Sequence, residues 1–155
     1  MFTKKGKLFF LFLVINLLCL YIGTVLMDNG PQQKWYLSLN KAPWTPPGWV
    51  FGTTWVCIMI CFSLYSSHLF NKNSSKKTYV IYALQIILNI SWNYIFFNQH
   101  LILAGLFILF FLFATILYFF LNFKNEVKKL RFLLAPYIIW LAIAISLNFY
   151  ILIYN

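Results

Sequence analysis

Side chains able to do acid–base or metal chemistry are nearly missing from this chain of 155 residues. Its only carboxylate side chains are Asp28 and Glu126, and its only histidines are His68 and His100. General acid–base catalysis needs titratable groups within hydrogen-bond reach of one reacting atom. Asp28 and Glu126 fall at opposite ends of the apolar segments described below, so they make no such pair. His68 and His100 lie near segment ends, where a solvated or hydrogen-bonded imidazole is expected rather than an axial metal ligand. Cys57 and Cys61 are spaced to share one helix face, as two metal ligands would be, but no acidic residue stands near them and His68 is further along. They read as small packing residues. Three cysteines within apolar runs do not make a disulfide framework. No catalytic residue and no metal site is expected, and no cofactor is obligatory.

What the residue types do support is stacking and hydrogen bonding inside an apolar medium. The chain holds 6 Trp, 10 Tyr and 18 Phe, is 63% hydrophobic and 22% aromatic, and carries only 9% charged residues. Soluble domains carry about a quarter charged residues, so the composition excludes an ordinary soluble fold. A membrane crossing takes roughly 20 apolar residues. Five such segments are found, at about 8–27, 49–70, 79–97, 101–122 and 131–153. Short polar links (NKNSSKKT at 71–78, NQH at 98–100, FKNEVKKL at 123–130) force antiparallel neighbours. The expected architecture is therefore all-α, a single five-helix transmembrane domain over 1–155 with a short helix in its first loop. The first segment follows Lys4, Lys5 and Lys7 but is too long for a signal-peptide core, and it reads as a retained span.

The net charge of +10 arises from short basic clusters between apolar runs, with no basic face to track a nucleic acid. Ten basic residues (Lys4, Lys5, Lys7, Lys72, Lys76, Lys77, Lys124, Lys128, Lys129 and Arg131) fall on one side of the five spans, and only Lys34 and Lys41 on the other. The positive-inside rule then predicts a cytoplasmic N-terminus, with the 28–48 loop and the C-terminus outside. The expected location is the bacterial cell membrane, with membrane lipid as the solvent.

The loop KAPWTPPGWVFGTTW at 41–55 is stiff, since each proline fixes its own φ and biases its predecessor away from helix. Thr45 reads as a helix N-cap with Pro46 at the first helical position. Upstream, PQQKWYLSLNK is expected to start a short helix at Pro31, with Trp35 and Leu39 on one side. The loop would form a preordered cap over the bundle mouth. Trp35, Trp44 and Trp49 suit an interfacial aromatic belt. Trp55 does not, because nine residues past Pro46 place it roughly 13 Å down the helix, too deep for a belt.

Asn89, about ten residues into the third span, and Trp140, nine past Arg131, reach similar depth. An amide at mid-membrane is expected to face the bundle interior. Trp92, Asn93 and Phe96 follow Asn89 at helical spacing, and Ala142, Ala144 and Ser146 supply small side chains near Trp140. Singly, each fits ordinary packing or an interhelical hydrogen bond. Together they suit a pocket for a flat apolar molecule.

Three stretches carry a resemblance to a known family: WYLSLNKAPWTPPGWVFGTTW at 35–55, LQIILNISWNYIFF at 84–97 and LLAPYIIWLAIAISLN at 133–148. On these the chain resembles the translocator proteins, also called tryptophan-rich sensory proteins or peripheral-type benzodiazepine receptors. The resemblance implies a five-helix membrane protein, often a homodimer, whose pocket beneath the first loop takes porphyrins and synthetic apolar ligands. Carried over by position, it implies ligand contacts at Tyr36, Pro46, Trp55, Asn89, Trp92, Trp140 and Ala144. The sequence departs from the family pattern where Ala42 precedes Pro43, and where Tyr150 is followed only by ILIYN, without the basic residue of the proposed sterol motif. The function expected is a receptor or sensor for protoporphyrin IX or haem, with light-dependent porphyrin degradation or passive porphyrin or lipid transport as alternatives. In this reading Lys34 or Lys41 would pair with a propionate.

Overall fold

The computed structural model describes residues 3–155. Five helices are long and apolar enough to cross a membrane. They are α1 (Lys4–Leu26), α3 (Gly48–Lys72), α4 (Lys76–Asn93), α5 (Ile102–Asn122) and α7 (Ala135–Tyr154). Short helices α2 (Lys34–Ser38) and α6 (Lys124–Val127) sit in the connections, and no strand is present among the described residues. The five long helices form a closed ring in which α1 packs on α3 and α4, α4 on α5, α5 on α7, and α7 back on α3. Helices α3 and α4, although joined by the short 73–75 link, do not pack backbone to backbone, and α1 packs on both. Short links thus set antiparallel direction here, but not adjacency.

Local chemistry explains where the helices start. Thr3 Oγ1 accepts from Gly6 N at 3.3 Å, and Ser75 Oγ from Thr78 N at 3.3 Å, satisfying amides that the first turn leaves free. The expected start of α3 is corrected. Thr45 is not its N-cap: its N–H and hydroxyl both donate to Ala42 O, at 2.9 and 2.7 Å, closing a turn instead. The helix begins at Gly48, with Pro47 in the capping position. Pro47 disfavours helical ψ at Pro46, so the helix cannot include it.

The fifth span also starts later than its apolar run. Lys128–Leu134 winds as a tight 3₁₀ segment, and α7 begins at Ala135 with Pro136 in its first turn. At the other end of the bundle, α4 widens into a π turn over Tyr94–Asn98, marked by Gln99 N donating to Tyr94 O at 3.0 Å. That widening breaks the 3.6-residue spacing from Asn89 to Phe96.

The 28–48 loop, the 99–101 link and the C-terminus share one end of the bundle. Gly30–Gln32 makes a 3₁₀ turn, Gln33 is extended, and α2 follows, so the helix expected from Pro31 is split in two. A Cβ at Gly30 would collide with Phe97 Cβ, so only glycine lets this turn sit so closely on α4's end. Asn40 closes the cap onto α7: its N–H donates to Asn155 Oδ1 at 2.8 Å and its Nδ2 to Tyr154 O at 3.1 Å.

Candidate functional site

Two aromatic rungs cross between α3 and α7. Phe51 meets Trp140 edge to face at 5.2 Å between ring centroids, and Trp55, one turn further along α3, meets Tyr137 at 5.7 Å. The spacing is that of antiparallel helices, since 51 and 55 rise along α3 while 140 and 137 descend along α7. Tyr137 is the hub. It is buried, and its hydroxyl accepts from Asn89 Nδ2 at 2.5 Å and from Gln85 Nε2 at 2.9 Å. Asn89 therefore faces the interior, as its depth requires. Trp140 and Ala144 are buried on the same face of α7, while Trp55 is half-buried.

A second cluster lies under the loop. Phe96 and Phe97 at the end of α4 are buried, with Trp35, Tyr36 and Leu39 of the loop packed on them. Tyr36 lies 5.2 Å from Phe97, and burial pushes its phenol above the ordinary tyrosine range, keeping it neutral. Trp92 stacks on Phe96 at 5.4 Å and also borders the deeper core, so it joins the two clusters.

Of the seven residues singled out, Trp55 and Asn89 converge on Tyr137, Trp140 stands one turn along on the adjoining rung, and Ala144 follows it. Tyr36 and Trp92 belong to the under-loop cluster. Pro46 is half-buried in the stretch before α3. Asn93 leaves the group: a Cβ at Gly23 would lie 2.8 Å from its Nδ2, so Asn93 packs against α1. Ala142 is exposed, and Ser146 holds Trp44, whose Nε1 donates to its hydroxyl at 3.2 Å. Tyr137 and Gln85 were not singled out, although each lies on the helix face shared with Trp140 or Asn89.

Several polar groups here are buried without a partner: Gln85 Oε1, Trp92 Nε1, and both amide atoms of Asn148. Asn148 is 2% exposed and one turn past Ala144. A Cβ at Gly105 would lie 3.2 Å from both Asn148 Nδ2 and Phe96 Cβ, so the glycine admits the amide at this crossing. Unpaired buried polar groups cost about 1–3 kcal/mol each, so each of these atoms favours a complementary polar group, an ordered water included.

The basic and sulfur-bearing residues are placed as follows. Lys41 Nζ donates to Tyr36 O at 2.9 Å and sits 4.7 Å over the Tyr36 ring, capping α2, whereas Lys34 is exposed. His100 stacks on Trp35 at 4.1 Å, and its Nε2 donates to Gln33 Oε1 at 3.1 Å. His68 is at the opposite end, its Nδ1 donating to Leu64 O at 2.9 Å. Cys57 and Cys61 do share a face, but not a packed one. Cys57 is exposed, and both line an outward groove with Trp49, Gly52, Val56 and Ile60.

Five membrane-length helices, with a loop tied across one end of the bundle, define an integral membrane protein. The chain belongs to the TspO/MBR family, which it matches over residues 11–154. It is similar to the tryptophan-rich protein TspO of Chlorobaculum tepidum, with 32% identity covering 89% of this chain and 91% of that protein. The Bacillus cereus protein of the same name is 32% identical over 96% of this chain and 95% of its own length. The translocator protein of Ovis aries is 31% identical over 83% of this chain and 79% of its own.

Proposed function

We propose that the chain is a membrane receptor or sensor for a tetrapyrrole, protoporphyrin IX or haem, taken up beneath the 28–48 loop. One observation carries this reading: aromatic rungs on α3 and α7 adjoin buried polar groups that have no partner within the protein. A porphyrin offers flat apolar faces to the rings of Trp55 and Trp140, and polar pyrrole nitrogens to amides and an indole N–H. The rings pack on each other here, so a macrocycle must part Trp140 from Phe51 or Trp55 from Tyr137. Entry from the loop end must break the ties of Asn40 to the C-terminus and of Trp44 to Ser146 and Tyr150. Of the two loop lysines, Lys34 has the freer ammonium to meet a propionate at the loop surface.

Titration of the purified protein with protoporphyrin IX, read by tryptophan quenching, tests the reading. Saturable one-site quenching supports it, and quenching no greater than with free tryptophan in the same detergent overturns it. The alternative, porphyrin breakdown in light, draws on the oxidisable rings Trp55, Tyr137 and Trp140 around the same site. Illumination with protoporphyrin bound separates the two, since a receptor alone bleaches the Soret absorbance no faster than equally illuminated protoporphyrin in lipid without protein. The proposed orientation has its own check. External thiol reagent is expected to label a Ser38→Cys variant and spare Ser74→Cys, and the reverse pattern inverts the topology.

A further inference from the structure

At the end of the bundle opposite the loop, a cavity of about 470 Å³ opens between the start of α1, the end of α3 and the segment after α5. Lys5, Lys72, Lys128 and Lys129 line it, with His68 and Glu126. A water occupies roughly 30 Å³, so the space suits a polyatomic group. Four lysines and one carboxylate line it: Glu126 Oε1 accepts from Asn73 Nδ2 at 3.2 Å, and its Oε2 is buried without a hydrogen-bond partner. Among the described residues, none of these four lysines has an ion-pair partner.

The backbone reinforces the imbalance. The first turn of α1 has lysines and no acidic residue, although a helix N-terminus favours anions. Lys128 is held at φ 50°, a left-handed conformation costly for a residue with a side chain, where the chain turns into the cavity wall. Basic pockets between helices at the positive side of a membrane protein are suited to lipid headgroups.

We propose that this cavity binds a phosphate-bearing anion, either the headgroup of an acidic membrane lipid or free phosphate, through Lys5, Lys72, Lys128 and Lys129. The site is separate from the tetrapyrrole reading and stands without it. The test uses the full chain in phosphatidylcholine nanodiscs doped with phosphatidylglycerol, with bound lipid counted by native mass spectrometry after gentle release. The wild type is expected to retain phosphatidylglycerol over phosphatidylcholine, and Lys5→Gln/Lys72→Gln to lose that preference about tenfold or more.

Lys76→Gln/Lys124→Gln removes the same charge from the same face outside the cavity, and is expected to keep the preference. Equal loss in both pairs, or no preference in the wild type together with no protection by inorganic phosphate against thermal unfolding, overturns the site. Phosphate that protects the wild type but not Lys5→Gln/Lys72→Gln identifies the free anion as a ligand. Lipid retention without phosphate protection identifies the headgroup. Both cavity positions are exposed and helical, so neither substitution endangers folding.

Discussion

The two halves of the bundle treat buried polar groups in opposite ways. In the half nearer the N-terminus, Asn16 Nδ2 donates to Ser63 Oγ at 2.8 Å, Tyr82 OH donates to Asn16 Oδ1 at 2.7 Å, and Ser63 Oγ donates to Met59 O at 2.6 Å. Tyr65 OH likewise finds Phe119 O at 2.8 Å. These bonds tie α1, α3, α4 and α5 together with nothing left over. In the half under the loop, Trp92 Nε1 and both amide atoms of Asn148 stay unpaired, and so does Gln85 Oε1 beside Tyr137. Glu126 Oε2 is the exception on the N-terminal side, and it belongs to the wall of the basic cavity. A closed network specifies how helices pack, whereas an open one stores free energy that only an incoming group can recover.

The largest expected effect tests the closed half. Asn16→Ala removes two interhelical bonds and leaves the Tyr82 hydroxyl without an acceptor. Single bonds of this kind in membranes contribute about 0.6 kcal/mol on average, and an orphaned partner adds to the loss. Unfolding in denaturing detergent is expected to show about 2 kcal/mol of destabilisation, with protoporphyrin affinity within about twofold of wild type. Lost affinity at unchanged stability would erase the distinction between the halves.

Next in size are the rungs. Trp55→Ala and Trp140→Ala each remove ring stacking of about 0.5–1.5 kcal/mol beyond lost contact area. Each is expected to weaken protoporphyrin about tenfold in a quenching titration, and the double variant is expected to lose less than the sum, since both act on one ligand. Trp44 serves as the control, because its ring is exposed and leans on Tyr150 outside the rungs. A larger loss from Trp44→Ala would move the ligand to the loop surface.

A smaller change, but of opposite sign in two assays, is expected at Asn148. Leucine of similar size removes two unpaired buried atoms, so Asn148→Leu is expected to raise the stability of the ligand-free bundle by about 1 kcal/mol. The same change deprives the ligand of its polar partner and is expected to weaken protoporphyrin several-fold. Destabilisation instead would show that Asn148 is paired in the membrane and belongs with the closed half.

Much of this was legible before any coordinates. Span number and length follow from apolar run length, because the bilayer leaves backbone amides no partners except along a helix. The depths of Trp55 and Trp140 were counted from Pro46 and Arg131, whereas their helices begin at Gly48 and Ala135. The inward face of Asn89 was legible from its depth. Tyr137 was not, because a tyrosine just after a proline near a span end reads equally well as an interfacial anchor. Asn16, Ser63 and Tyr82 lie on three helices, and only the ring order α3–α1–α4 brings them together. Nor does spacing reveal the π turn at Tyr94–Asn98, which shifts Phe96 and Phe97 out of the register that Asn89 sets.

The smallest effect is expected on the outer face of α3. Cys57 and Cys61 lie opposite the rungs, lining a groove with Trp49, Gly52, Val56 and Ile60, and Cys57 is exposed. Residues that touch neither Tyr137 nor Trp140 have no route to the ligand except through the helix that carries them. Alanine keeps that helix, being its best former, and in an apolar surround it forfeits only the contacts of one sulfur at each position. The double variant Cys57→Ala/Cys61→Ala is therefore expected to bind protoporphyrin within about threefold of wild type. Blocking both thiols with a bulky maleimide is expected to be equally silent, because the adduct projects away from the rungs. Abolished binding in the alanine variant, with the five helices still folded by circular dichroism, would place the ligand on the outside of α3. The unpaired amide of Asn148 and the unpaired Oε1 of Gln85 would then have to be explained without it.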